Sequence, residues 1–100
     1  MTYPFYLHGL LRCCGTPMWS VTRSDNRRYR CATCGHGVDA LTAEVEVWEL
    51  ACQREPALGD GRTPYEHRGV RLAGVLDQVN VVTTGTAYQF DLRYRPARLR

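Results

Sequence analysis

The chain has 100 residues and a net charge of +3, with 13 basic residues, all of them arginine, against 10 carboxylates. That length suits one small domain with a modest core, within the size range where a bound metal often supplies part of the stability. No apolar run reaches transmembrane length, and five cysteines without an apolar leader point to metal-bound thiols in a reducing cytoplasm rather than a secreted disulfide framework.

The charge is unevenly placed. Residues 1–38 hold five arginines against Asp25, residues 39–60 set Arg54 against six carboxylates, and residues 61–100 are basic again, so two basic lobes flank an acidic middle. Using arginine alone suits bidentate contacts to phosphates and bases, and a GC-rich coding sequence gives the same bias.

Residues 3–12 place Tyr6, Leu7, Leu10 and Leu11 as core on a strand or packed arm ahead of a cysteine pair, Cys13-Cys14. After sixteen intervening residues comes Cys31-Ala32-Thr33-Cys34-Gly35, a spacing that lets two thiolates converge while backbone N–H groups point at their sulfurs. Between the pairs, Met18–Thr22 and Arg27–Cys31 read as two strands joined at Ser24-Asp25-Asn26, whose side chains favour turns. Trp19 and Tyr29 offer faces on which bases can stack, but two aromatics on a hairpin more often pack against the neighbouring helix, and packing is the expectation. Four cysteines, Cys13, Cys14, Cys31 and Cys34, are therefore candidate ligands of a structural Zn2+, with His8 and His36 as substitutes. Consecutive residues on a strand point to opposite faces, so Cys13 and Cys14 can share one metal only if the backbone turns sharply, as Gly15 permits.

Beyond the second pair, Leu41, Val45, Trp48 and Cys52 recur at helical spacing over 39–55, with Asp39 or Thr42 as N-cap and Glu44 and Glu46 in the early turns. Cys52 is expected to be buried filler. Pro56 ends this helix, and 56–63 forms a Gly-rich loop. Thr63-Pro64-Tyr65-Glu66 has the form of a capping box opening a second helix over 64–78, with Tyr65, Gly69, Leu72, Leu76 and Val79 on one face. Residues 79–95 read as an antiparallel hairpin turning at Thr84-Gly85-Thr86, with Tyr88, Phe90, Leu92 and Tyr94 alternating inward and a frayed tail after Pro96. The predicted fold class is α+β, a small zinc ribbon with two knuckles packed with two helices and a C-terminal antiparallel hairpin, all in one domain.

Three runs, Tyr6-Leu7-His8-Gly9-Leu10-Leu11-Arg12-Cys13, Cys14-Gly15-Thr16-Pro17-Met18 and Tyr29-Arg30-Cys31, precede an acidic helix bearing Val47-Trp48. This pattern resembles the recombinase zinc β-ribbon domain of large serine recombinases. Tyr65–Leu72 leading into Leu76–Val81 resembles the helix-then-strand segment that closes those proteins. The chain departs from the family in three ways. The first Cys-x-x-Cys is contracted to Cys13-Cys14, the long coiled coil is reduced to a short loop around Gly59 and Gly61, and the catalytic domain with its serine nucleophile has no counterpart, so Ser20 and Ser24 have no catalytic role.

The resemblance implies a non-catalytic module that binds double-stranded DNA, either a recombinase remnant or an accessory protein. Arg12, Arg23, Arg27, Arg28 and Arg30 cluster around the ribbon as candidate phosphate contacts, although a basic turn is also often no more than a solvated face. A second reading is an adaptor that docks a protein such as a recombinase through the acidic helix or terminal sheet. A third and weaker one makes Cys13-Cys14 a redox pair. Neither a membrane nor a small-molecule substrate is expected as a partner.

Overall fold

The computed structural model describes residues 5–58, 63–84 and 87–96. Strands β1 (Leu11–Cys13), β2 (Thr16–Pro17), β3 (Trp19–Arg23), β4 (Asn26–Arg30) and β5 (Gly37–Asp39) precede helix α1 (Ala40–Arg54). A single 3-10 turn (Pro56–Leu58), helix α2 (Tyr65–Val75) and strands β6 (Leu76–Thr84) and β7 (Ala87–Tyr94) follow. The class is α+β, with two helices and two sheets.

The N-terminal ribbon is divided between the sheets. β3, β4 and β5 form one antiparallel sheet, with Tyr29 opposite both Ser20 and Val38. β1 instead joins the C-terminal hairpin in a four-stranded sheet of order β2-β1-β6-β7, running parallel to β6 with Leu11 opposite Val79. The expected terminal hairpin is present, but it is half of a larger mixed sheet. A parallel partner far away in sequence leaves no turn signal to read. Along β7 the alternation is as expected: Phe90 is buried, Tyr88, Leu92 and Tyr94 are half-buried, and Gln89, Asp91 and Arg93 are exposed.

Helix α1 starts where Asp39 accepts hydrogen bonds from the Thr42 backbone N–H at 3.0 Å and from its hydroxyl at 2.9 Å, so the N-cap is Asp39. Its buried face differs from the expected one. Ala40, Ala43, Glu44, Val47, Trp48 and Ala51 are buried, whereas Leu41 is 54% exposed and Val45 also faces solvent. The helix is rotated by about one residue, roughly 100°, from the orientation that would bury its largest aliphatic side chains. Alanines at 40, 43 and 51 let it lie close against β4 and β5, and Glu44 supplies the reason for the rotation.

Glu44 has no exposed surface. Arg27 on β4 grips its carboxylate with two hydrogen bonds, at 2.9 and 3.3 Å, and the Tyr29 hydroxyl donates to it at 2.6 Å. The Tyr65 hydroxyl at the start of α2 donates to Oε1, and the Tyr6 hydroxyl donates to the Glu44 carbonyl at 2.5 Å. Tyr29 in turn accepts from the Leu7 backbone N–H at 3.0 Å. One residue thus joins the N-terminal arm, β4, α1 and α2, and the chain from the Leu7 N–H through the Tyr29 hydroxyl to Glu44 is strengthened by mutual polarisation in this dry setting. Burial alone would lower the basicity of Arg27, and the bonds to Glu44 outweigh that effect and raise it. Burial likewise pushes Tyr65 up to about 12, with the Glu44 hydrogen bond adding to it.

Other elements differ from the sequence reading. The expected capping box does not form, because the Thr63 hydroxyl donates to the Leu58 carbonyl at 3.0 Å and Pro64 is the N-cap without a side-chain cap. Helix α2 ends at Val75 and the strand begins at once, since Leu76 is already extended. Gly69 is needed for close packing: a Cβ there would lie 2.6 Å from Tyr6 Cβ. The loop residues 59–62, turn residues 85–86 and tail residues 97–100 lie outside the described residues. No described helix is long and apolar enough to cross a membrane.

Replacing Arg27 with Met should strand the Glu44 carboxylate without its cation and cost about 3–5 kcal/mol of stability. Arg23→Met, on the exposed face, should change stability by less than about 0.5 kcal/mol. Thermal melts of the two variants under the same conditions check the contrast, and equal melting temperatures would contradict the role given to Glu44.

Candidate metal centre

Cys13 ends β1, and Cys14 and Gly15 form the whole two-residue loop into β2, with Cys13 paired to Thr16 across it. Both loop residues have positive φ, 56° at Cys14 and 74° at Gly15, as in the tight hairpin turn that follows the natural strand twist. Left-handed backbone is uncommon for a residue with a Cβ, and here it is what swings the second thiol back beside the first. The sharp turn expected at Gly15 therefore begins one residue earlier.

The other pair forms a knuckle after β4. The Gly35 N–H donates to the Cys31 carbonyl at 2.9 Å with Gly35 at φ 77°, and the Cys34 N–H points at Cys31 Sγ at 3.5 Å. The Cys31 N–H donates to the His36 carbonyl at 2.8 Å, closing the loop into β5.

These two turns bring all four sulfurs within 4.8 Å of one another, with Cys13 and Cys31 buried and Cys14 and Cys34 exposed. Cys13 Sγ is 3.7 Å from Cys34 Sγ and 3.9 Å from Cys14 Sγ. A tetrahedron of sulfurs about 2.3 Å from a central ion has edges of roughly 3.8 Å. The four cysteines are thus positioned to bind one metal ion, consistent with a structural site, and they lie at the seam between the two sheets.

The thiol electrostatics agree with the geometry. The backbone N–H of Cys34 lowers Cys31 to about 6 even against burial. Burial pushes Cys13 up, with the neighbouring thiols adding to the effect, and the contact with Cys34 holds Cys14 above the ordinary thiol range. Four sulfurs this close resist carrying several negative charges at once, and a central dication removes that conflict.

The remaining candidates separate. His8 faces solvent, with Nδ1 2.8 Å from Ser20 Oγ, and His36 sits edge-on to Tyr88, so neither histidine belongs to the cluster. Cys52 is half-buried, away from the cluster, and burial raises its thiol. Ser20 and Ser24 lie in and after β3, and Ser24 has φ 54° at the hairpin turn.

Of the five arginines, Arg23, Arg28 and Arg30 are exposed, and Arg12 is half-buried and donates to the Gly15 carbonyl at 2.8 Å, bracing the Cys14-Gly15 turn. Arg27 turns inward to Glu44, which removes it from the exposed basic set. Strand alternation carried this signal: Arg27 shares a face of β4 with Tyr29, and Arg28 and Arg30 lie on the other.

Trp19 differs from the expectation based on its residue type. It is 66% exposed rather than packed against the helix, while Tyr29 is buried as expected. Its cross-strand partner is Arg30, and the next same-face pairs are Val21 with Arg28 and Arg23 with Asn26. Trp19, Arg23, Arg28 and Arg30 therefore occupy the outer face of β3–β4–β5.

The protein is expected to take up one equivalent of divalent metal per chain, measured by mass spectrometry under native conditions. Cys34→Ser and Cys14→Ala should each abolish stoichiometric binding, whereas His8→Ala and His36→Ala should leave it intact; a histidine dependence would show that the ligand set is wrong. Compared with family models, curated proteins and solved structures, this chain matches none.

Proposed function

We propose that this chain is a non-catalytic zinc-ribbon module that binds double-stranded DNA through the outer face of β3–β4–β5. In this reading it is a recombinase remnant or an accessory protein acting on the same kind of DNA. The observation that carries the reading is the gathering of Arg23, Arg28 and Arg30 on one exposed sheet face beside the cysteine cluster.

Zinc is the metal best suited to four thiolates in a small tetrahedral cage, because soft sulfur ligands and four-coordination favour it over magnesium, calcium or manganese. The site residues would be Cys13, Cys14, Cys31 and Cys34. Bound there, the ion would supply rigidity, joining the end of β1 to the knuckle that follows Arg30. Four protein ligands fill a tetrahedral shell and leave no position for an activated water, so the module is proposed to hold DNA and not to cut it.

Arginine suits this task because its planar fork is always charged and makes paired hydrogen bonds to phosphate oxygens. Arg23, Arg28 and Arg30 would position the duplex, with Arg12 beside the metal turn as a further contact.

A second reading is favoured by a different surface. Leu41, Thr42, Val45, Glu46 and Glu49 line a groove of about 360 Å³ on the exposed side of α1, apolar at its centre and acidic at its edge. This is where an adaptor would dock a protein partner.

Three phosphate contacts predict a slope of log K against log salt near −2.7, a loss of about 40-fold between 50 and 200 mM salt. Arg28→Gln and Arg30→Gln should each reduce that slope by about one unit. Fluorescence anisotropy on a labelled duplex measures it, and salt-insensitive or absent binding together with retained capture of a protein partner would favour the adaptor.

A further inference from the structure

We infer that the outer face of β3–β4–β5 takes a single-stranded stretch of DNA, stacking one unpaired base on Trp19 while Arg23, Arg28 and Arg30 hold the flanking phosphates. This rests on the DNA-binding reading and adds to it: the face that holds a duplex by its phosphates holds an unpaired stretch more tightly, because the stack on Trp19 is then available.

The first observation is the state of Trp19. An indole is a large apolar surface that is normally covered, yet this ring is 66% exposed and has no ring or guanidinium partner among the described residues. By contrast, Trp48 is buried under the Arg68 guanidinium, 5.0 Å from its ring.

The second is what surrounds it. Trp19 stands directly across from Arg30, and Val21 with Arg28 occupies the next same-face rung, roughly 7 Å along the strand. Beside Trp19 lies a cleft of about 310 Å³ whose lining includes Val21, Arg23, Arg28, Arg30 and Gly37 but not the indole itself. Gly37 keeps one wall low, and a Cβ there would come within 3.2 Å of Arg28 Nη2. Asp39 stands opposite Arg28 and stays ionised while it caps α1, so it offsets part of the Arg28 charge, and Arg23 and Arg30 keep the cleft basic on balance.

The third is what such a surface can recognise. A duplex presents phosphates and base edges but hides the flat faces of its bases inside the stack. An unpaired base exposes its face, and stacking on an aromatic ring beside a cationic groove is the usual way that proteins hold single strands. Trp19 supplies the platform and the arginines supply the track.

The test compares a short oligothymidylate with a duplex of the same length, using metal-loaded protein and intrinsic tryptophan fluorescence, with Trp48→Phe as background so that Trp19 alone reports. The oligothymidylate should bind more tightly than the duplex and quench Trp19. Read by fluorescence anisotropy of labelled oligonucleotides, because these variants lack the Trp19 reporter, Trp19→Ala should weaken single-strand binding by about 5- to 150-fold, Trp19→Phe should restore most of it, and both should leave duplex affinity and metal stoichiometry unchanged. Salt-sensitive duplex binding with no single-strand preference and no Trp19 effect overturns this inference and leaves the DNA reading standing. Absence of salt-sensitive binding to either probe overturns both.

Discussion

The buried carboxylate of Glu44 is the constraint on which the rest of the molecule depends. A charge without solvent is tolerable only with a cation and with its lone pairs satisfied. Arg27, Tyr29 and Tyr65 meet that demand from two different elements. Because a strand alternates, sending Arg27 inward sends Arg28 and Arg30 outward. The basic outer face of β4 is thus a consequence of the polar interior, and the same rotation of α1 that buries Glu44 leaves Leu41 and Val45 exposed on the far side.

The cysteine cluster acts on a different joint. Cys13 and Cys14 belong to the sheet containing β1 and β6, whereas Cys31 and Cys34 follow the strand of the other sheet. Among the described residues no shared strand joins the two sheets, so a metal at their seam would fix a relation that strand pairing does not. The contraction of the first cysteine pair suits this position. A Cys-x-x-Cys knuckle needs a wider loop, whereas a two-residue hairpin with both residues at positive φ delivers two sulfurs from the tip of a short strand pair.

Most local signals in the sequence match the structure, the Thr63–Glu66 capping box and the end of α2 excepted, and the long-range relations left no such mark. The β3–β4 hairpin, the Asp39 cap, the second cysteine knuckle and the alternation of β7 each follow from residues a few positions apart. The inner face of α1 did not, because counting large aliphatic residues favours Leu41 and Val45 over three alanines and a glutamate. The reason to bury Glu44 lies on β4 and α2, remote in sequence. Trp19 was misjudged on the same ground, since residue type suggested packing and only the register of the sheet shows which way it faces. The four cysteines that come together were legible from their spacing, but the turn at Cys14 was not, because left-handed backbone at a non-glycine residue has no reliable sequence mark.

The two constraints meet on β4. A slip of one residue would exchange its faces, burying Arg28 and exposing Arg27 and Tyr29. Glu44 opposes that slip from the middle of the strand, where only Arg27 can reach its carboxylate in a bidentate grip. The knuckle opposes it from the end, because Cys31 directly follows Arg30 and must keep its sulfur with the other three. Each constraint fixes the register alone, but they differ in what they sense. The ion pair responds to packing and the thiols respond to metal, so loss of metal should loosen the end of β4 near Arg30 and Trp19 before it disturbs Arg27. The face proposed to hold DNA is therefore the part of the sheet that a metal bound at the four cysteines would govern most directly.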